Sequence, residues 1–199
     1  MRIDLNSNEK LPGKVLAIYE AVSALIAEGR DMADLKVSDI TRRAGIGKGT
    51  AYGYFSSKEE MVGRAIIYYF CMKNNHLLQE IRRQKDLRQI LLTLIDSNLD
   101  SGSGLYIYQY LRRQAGSEDP DTMKAQLGMA MDARRRMMTS VEDVLLKHLD
   151  REVEDEKYAR FVLASVVNMI GSSCVYAAEE GFNKEDFADK CLRMIRASL

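Results

Sequence analysis

Between residues 37 and 64 the chain reads VSDITRRAGIGKGTAYGYFSSKEEMVGR. Ser38 precedes a short helical pattern with Ile40 and Ala44, and Gly45 closes it. A second short helix is expected from about Lys48 to Tyr54. Two short helices joined by a glycine turn make a helix-turn-helix unit. Gly45 suits the turn because glycine accepts a positive φ that alanine resists. Ile40, Ala44, Ile46, Ala51 and Phe55 can form the small core that fixes the angle between the helices. The outer face of the second helix is Lys48, Gly49, Thr50, Tyr52, Gly53 and Tyr54. A surface helix selected for stability avoids glycine, which costs about 0.8–1 kcal/mol relative to alanine. Small residues belong where a backbone must approach another surface closely. Lys, Thr and Tyr donate hydrogen bonds to phosphate oxygens.

Other chemistries fail on detail. Gly45-Ile-Gly47-Lys48-Gly49-Thr50 resembles a phosphate-binding loop, but Gly49 stands where Ser or Thr must follow the lysine. Arg42 stands where that loop needs its first glycine, and a helix, not a strand, precedes it. The two histidines, His76 and His148, have no partner at metal-ligand spacing. No G-x-S-x-G elbow is present. No metal, cofactor or catalytic residue is expected, and the chain is not read as an enzyme.

The charge is unevenly spread. The whole chain has 29 basic and 29 acidic residues. Residues 36 to 58 hold Lys36, Arg42, Arg43, Lys48 and Lys58 against Asp39, a local net charge of +4 balanced by −4 elsewhere. A basic face on a neutral molecule is the electrostatic footprint of a nucleic-acid reader.

The rest of the sequence supplies the elements that hold this segment in place. Only two prolines occur in 199 residues, which permits long uninterrupted helices. Pro12 opens the first helix, whose apolar stripe is Val15, Ile18, Val22 and Leu25 and whose stop is Gly29. Ser57-Lys-Glu-Glu60 reads as a capping box: the Ser57 hydroxyl accepts from the Glu60 N–H while the Glu60 carboxylate reaches back. It opens a longer helix through Met61, Ala65, Tyr68, Tyr69 and Met72. Further helices are expected from Leu87 to Ile95 and from Leu105 to Gln114, the latter despite the period-two alternation of Tyr106, Tyr108 and Tyr110. A long helix from about Asp121 carries Met123, Leu127, Met131, Met138, Val141 and Leu145 as its apolar positions. One more spans the uncharged run from Phe161 to Ala178, 18 residues long. That run contains Ser165, Asn168, Gly171, Ser172 and Ser173, so a helix among helices is expected and not a membrane span. A last helix follows Gly181. About nine helices and no strand make an all-α protein. Cys71, Cys174 and Cys191 are too scattered for a disulfide framework and fit a reducing, cytoplasmic setting. The N-terminus lacks the apolar core of a signal peptide.

The segment from Ile40 to Met61 resembles the DNA-binding signature of the TetR (tetracycline repressor) family. The shared elements are Ala44-Gly45, Lys48-Gly49-Thr50, Tyr52-x-Tyr54-Phe55 and Ser57-Lys58-Glu59-Glu60 with an apolar residue after it. The length and the helix count fit the same family. The resemblance implies a homodimeric, ligand-responsive transcriptional regulator, usually a repressor, bound to a palindromic double-stranded DNA operator and released by a small-molecule effector. It implies an N-terminal DNA-binding domain over 1–58 and a C-terminal effector-binding and dimerisation domain over 59–199. Lys48, Gly49 and Tyr52 would face base edges or nearby backbone. Thr50, Gly53 and Tyr54 would touch phosphates, and Lys58 would add its ammonium at a helix N-terminus. Ser38 would cap the second helix and touch DNA backbone. Gly47 departs from the Ser or Thr common in the family, so the third helix lacks a side-chain cap. Gly53 replaces a larger residue.

A palindrome reader needs two copies about 34–36 Å apart. The uncharged run, with Phe161 and Met169, and the final helix, with Phe187, Cys191, Met194 and Ile195, supply an interface. The resemblance pairs the same two helices into a four-helix bundle. Effector-pocket candidates are Tyr69, Met72, His76, Tyr106, Tyr110, Met131, Met138 and Asn168. The competing reading is an all-helical small-molecule-binding protein or enzyme without DNA affinity.

Overall fold

The computed structural model describes residues 11–101, 120–149, 152–172 and 181–199. These residues form eight α-helices and one 3-10 turn, with no strand among them. The helices are α1 (Gly13–Ala27), α2 (Val37–Arg43), α3 (Lys48–Tyr52), α4 (Lys58–Ile81), α5 (Leu87–Ser101), α6 (Pro120–Lys147), α7 (Glu156–Ser172) and α8 (Lys184–Ser198). The helix expected over 105–114 lies outside the described residues, as do Tyr106, Tyr110 and Cys174. No described helix is long and apolar enough to cross a membrane.

Two compact units emerge. One comprises residues 1–72 with 106–133, the other 73–105 with 134–199. In the first, the stripe Val15, Ile18, Val22 and Leu25 is buried, together with Tyr19, Leu35, Ile40, Ala51, Phe55, Met61 and Ala65. Tyr19 lies between Phe55 and Tyr68, with ring centroids 6.0 and 5.2 Å away. Burial pushes its phenol up to about 12, so it stays neutral. The expected boundary at 58/59 falls within this unit, where α4 begins.

The local punctuation follows backbone chemistry. Gly29, Gly45 and Gly181 adopt positive φ of 83°, 66° and 95°, and each follows a helical segment or precedes a new one. Pro12 sits one residue outside α1 as its N-cap, and its carbonyl accepts the Val15 N–H at 2.9 Å. Pro120 is the first residue of α6, not the last of a loop, a position where its missing N–H costs nothing. Asn183 caps α8, its side-chain oxygen accepting from the N–H groups of Glu185 and Asp186.

The second unit has its own core: Ile81, Ile90, Leu91, Leu94 and Ile95 against Val141, Leu145, Leu163, Val166, Ile170, Ala188, Cys191 and Ile195. Helix α5 is tied to α8 by Arg88, whose guanidinium reaches Asp189 at 2.6 Å and Glu185 at 2.8 Å. Lys184 reaches Asp96 at 2.7 Å.

The N-terminal half of α6 departs from the sequence pattern. Leu127 and Met131 stand 48% and 58% exposed. The inward positions are Gln126, Ala130 and Ala133. Each lies one residue from the expected stripe or its continuation, which on a helix is a turn of about 100°.

Candidate nucleic-acid interface

Helices α2 and α3 are too short to be stable alone and are set by the core beneath them. Ile40 and Ala51 are fully buried and Phe55 nearly so, which fixes one face of each helix inward. The turn between them is closed by the Ile46 N–H donating to the Thr41 carbonyl at 3.0 Å. The Thr41 hydroxyl donates back to the Val37 carbonyl at 2.8 Å. Ser38 lies inside the first turn of α2, whose N-cap is Lys36 with no side-chain cap bond. The expected Ser38 cap is therefore corrected: the helix starts one residue before it, and Ser38 is a half-buried first-turn residue.

Helix α3 ends at Tyr52, two residues before the expected end, and its outer face is narrower than expected. Lys48 and Gly49 are exposed, Tyr52 is 50% exposed, and Thr50 and Tyr54 are partly buried, Tyr54 against the core. Gly47 is the N-cap and no side chain caps the helix. The three glycines of this region have different physical reasons. Gly53 is the C-cap of α3, and a Cβ there would meet the Thr50 carbonyl oxygen at 3.2 Å. Close approach of the chain to itself accounts for it. At Gly49 a Cβ would meet nothing within 4 Å, and at Gly47 only the Thr50 hydroxyl at 4.0 Å. Neither has a positive φ. Nothing among the described residues demands glycine at 49, although it costs helix stability there.

The charge of the segment is partly spent inside the chain. Arg43 pairs with Glu28 at the end of α1 at 2.6 Å, and Arg42 with Asp39 at 2.7 Å. Glu28 lies outside the +4 window and offsets one of its cations. Lys58 shares its ammonium with Glu59 at 3.6 Å. Lys36 and Lys48 make no ion pair among the described residues.

The capping box at the start of α4 forms, with one change. The Ser57 hydroxyl accepts the Glu60 N–H at 3.0 Å. The Glu60 carboxylate reaches Ser56, not Ser57, accepting from its N–H at 2.6 Å and from its hydroxyl at 2.7 Å. Its other oxygen meets Arg64 at 2.6 Å. Burial opposes the Glu60 charge, but the Ser56 hydrogen bonds and the Arg64 guanidinium outweigh it and hold the carboxyl below its usual range.

The expected effector residues that are described divide between the two units. In the first unit, Tyr69 is partly buried edge-on to Tyr68, and Met72 and Met131 are exposed. In the second, His76 is exposed beside Glu80 at 3.3 Å, and Met138 packs against the core. Asn168 accepts from Arg134 at 2.9 Å on an exposed face. An open cleft of about 440 Å³ in the second unit is lined instead by Asp143, Leu146, Lys147, Val153, Glu156 and Arg160. Within this lining Arg160 pairs with Asp143 and Glu156 at 2.8 and 2.9 Å. Only the i,i+4 spacing of Glu156 and Arg160 hinted at it in sequence.

Of the expected interface residues, Phe161 and Met194 are 68% and 48% exposed, while Met169 and Phe187 are half-buried against the core. Cys191 and Ile195 are 0% and 1% exposed. They belong to the core of their own chain and present no surface to a partner. Burial also pushes the Cys191 thiol up to about 11.

Comparison with known proteins places this geometry. Residues 18–70 match the family model of bacterial regulatory proteins of the tetR family. The uncharacterized HTH-type transcriptional regulator YxbF of Bacillus subtilis is 25% identical over 175 residues, covering 83% of this chain. The chain spans only 39% of that relative's length. A tetR-family transcriptional regulator from Streptomyces coelicolor shares the fold with a TM-score of 0.61 at 15% identity, over 95% of this chain and 81% of that one. The transcriptional regulator FadR from Bacillus subtilis, solved in complex with stearoyl-CoA, superposes with a TM-score of 0.53 at 14% identity, over 92% and 98%. These structural likenesses establish the fold.

Proposed function

The chain belongs to the TetR family of bacterial regulatory proteins, and on that premise we propose that it is a sequence-specific DNA-binding transcriptional regulator. Its action is repression, relieved when a small-molecule effector releases it from a palindromic operator. Residues 1–58 carry DNA binding; residues 59–199 carry effector binding and dimerisation. The protein works in the cytoplasm as a homodimer.

The observation that carries the reading is α3. It presents Lys48, Gly49 and Tyr52 outward, with a glycine that nothing among the described residues requires. A backbone left bare at a cost to its own helix fits close approach to an external surface. Lys48 and Tyr52 beside it supply a cation and a phenol for base edges and phosphates. Thr50, Tyr54 and Lys58 add backbone contacts. Gly47 and Gly53 keep the ends of the helix slim.

The homodimer is assigned to the exposed face of α7 and to Met194 of α8. The α7 face runs through Phe161, Ser165, Asn168 and Ser172, none of them charged, with the Arg134 guanidinium of α6 on Asn168, a composition unusual for a solvated helix surface. The effector is read as apolar, since the chain holds 11 methionines, which adapt to irregular apolar ligands. The acyl chain of the stearoyl-CoA in complex with FadR is of that kind.

Selection of bound genomic fragments followed by titration at several salt concentrations tests the proposal. An enriched palindromic fragment whose affinity falls steeply with salt is expected, because phosphate contacts release counterions. Failure to enrich any fragment, or binding indifferent to salt, would contradict it. A sharper test is Gly49→Ala. It is expected to strengthen α3 by about 0.8–1 kcal/mol while weakening operator binding, because its methyl intrudes on the DNA. Thermal denaturation and a gel-shift titration read the two opposite signs. Equal or tighter binding would mean that the helix does not approach DNA at this point.

A further inference from the structure

The N-terminal half of α6 is packed against the grain of its sequence. Gln126 is 1% exposed, and neither its amide nitrogen nor its amide oxygen has a hydrogen-bond partner. A primary amide offers two donors and two acceptor sites, and leaving them dry is unfavourable. One residue further on, Leu127 and Met131 stand in solvent. A helix roll of about 100° would exchange the two sets, burying Leu127 and Met131 and returning the Gln126 amide to water or to a polar ligand group. Ala130, between them, fits either arrangement. Packed cores are bistable and do not deform continuously, so two such packings can coexist as discrete states.

Gly63 of α4 is the other half of the arrangement. A Cβ at this position would overlap the Gln126 amide. The amide therefore lies against bare helix backbone, and a methyl at 63 must displace it. Five residues earlier α4 begins at Lys58, next to the proposed DNA-binding residues.

We propose that the N-terminal half of α6 is a two-position switch. In one position Gln126 is stowed against Gly63; in the other α6 is rolled so that Leu127 and Met131 face inward. The stowed position is the DNA-binding one, and an effector that carries a polar group for Gln126 on its apolar body favours the other. The roll stands on the packing alone; its coupling to operator affinity rests on the functional reading above.

Three variants and four measurements test this. Peroxide footprinting read by mass spectrometry reports the exposure of Met131, because sulfoxide forms fastest on exposed methionine. Titration with the selected operator reports the DNA-binding state. Gly63→Ala should expel Gln126, protect Met131 about tenfold and weaken operator binding at least about fivefold, the lower end of common allosteric couplings. Gly63→Ala/Gln126→Ala removes the overlapping amide and should return both readings to within about twofold of the wild type. Gln126→Met, apolar and of similar length, should raise the thermal midpoint, slow amide exchange over residues 58–72 and leave Met131 reactive. The switch is overturned if Gly63→Ala folds and leaves Met131 as reactive as before, if the double variant restores neither reading, or if Gln126→Met lowers the midpoint. Should Gly63→Ala fail to fold, Gln126→Met decides by itself. Protection of Met131 with unchanged operator affinity would overturn the coupling. A wild-type chain that binds no DNA would overturn the functional reading, while the footprint and exchange still judge the roll.

Discussion

Replacing Lys48 by alanine is expected to weaken operator binding about 100-fold and to leave the thermal midpoint unchanged. The two halves of that statement come from different observations. Lys48 is the first residue of α3, exposed, with no ion pair among the described residues. Substitutions at such positions move stability by less than about 0.5 kcal/mol. A side chain that reaches a base edge contributes about 1–3 kcal/mol. A tenfold loss per half-site corresponds to about 1.4 kcal/mol, near the bottom of that range, and a homodimer loses it twice. If Lys48 also neutralises a phosphate, the slope of log affinity against log salt should flatten by about 1 per subunit. A gel-shift titration at two salt concentrations checks both numbers. Unchanged affinity would remove Lys48 from the interface. Arg43→Ala makes a useful contrast, because Arg43 is already engaged by Glu28 at 2.6 Å and its loss should cost DNA binding less.

The largest effect on stability is expected for Phe55→Ala, a loss of about 3–5 kcal/mol. Phe55 is 2% exposed at the corner between α3 and α4, with its ring 6.0 Å from that of Tyr19 on α1. Truncation leaves a cavity beneath the helix-turn-helix, and the fully buried Ile40, Ala51 and Met61 cannot collapse into it without changing the angle between α2 and α3. Typical domains are stable by only about 5–15 kcal/mol, so most of the margin of this unit would go. Denaturant titration followed by amide exchange in residues 13–65 measures the loss. Operator binding should fail in parallel, through disorder of α3 and not through a lost contact. A shift under about 1 kcal/mol would show that the ring is not an anchor of this core.

Much of this was written in local residue order. The stripe Val15, Ile18, Val22 and Leu25 fixes the inward face of α1 because three- and four-residue spacing lines up on one side of a helix. Gly29, Gly45 and Gly181 mark breaks because the backbone there takes a positive φ. Ser57 caps Glu60 because a hydroxyl three residues before a free N–H has little choice of partner. Lys48, Gly49 and Tyr52 lie outward on α3 because Ala51 and Phe55 must go inward. These are consequences of periodicity and short-range geometry, and a sequence contains both.

What the sequence could not contain is the choice between alternatives of nearly equal local merit. Ser56 and Ser57 both offer donors to the Glu60 carboxylate, and only the three-dimensional turn selects Ser56. Arg43 meets Glu28 across fifteen residues, so the basic window is weaker than its count. Cys191, Met194 and Ile195 form one apolar set on α8, yet the chain's own core takes Cys191 and Ile195 and leaves Met194 outside. On α6 the outcome runs against hydropathy: Gln126 goes in while Leu127 and Met131 stay out. The sequence by itself determined that the described segments are helical and which residues face away from the helix-turn-helix core, because those follow from spacing along one chain; the ends were less legible, since the second short helix stops at Tyr52 and α5 runs on to Ser101. Only the tertiary structure decided which of two adjacent helix faces is buried, because that depends on what lies opposite, and opposite Gln126 there is a glycine.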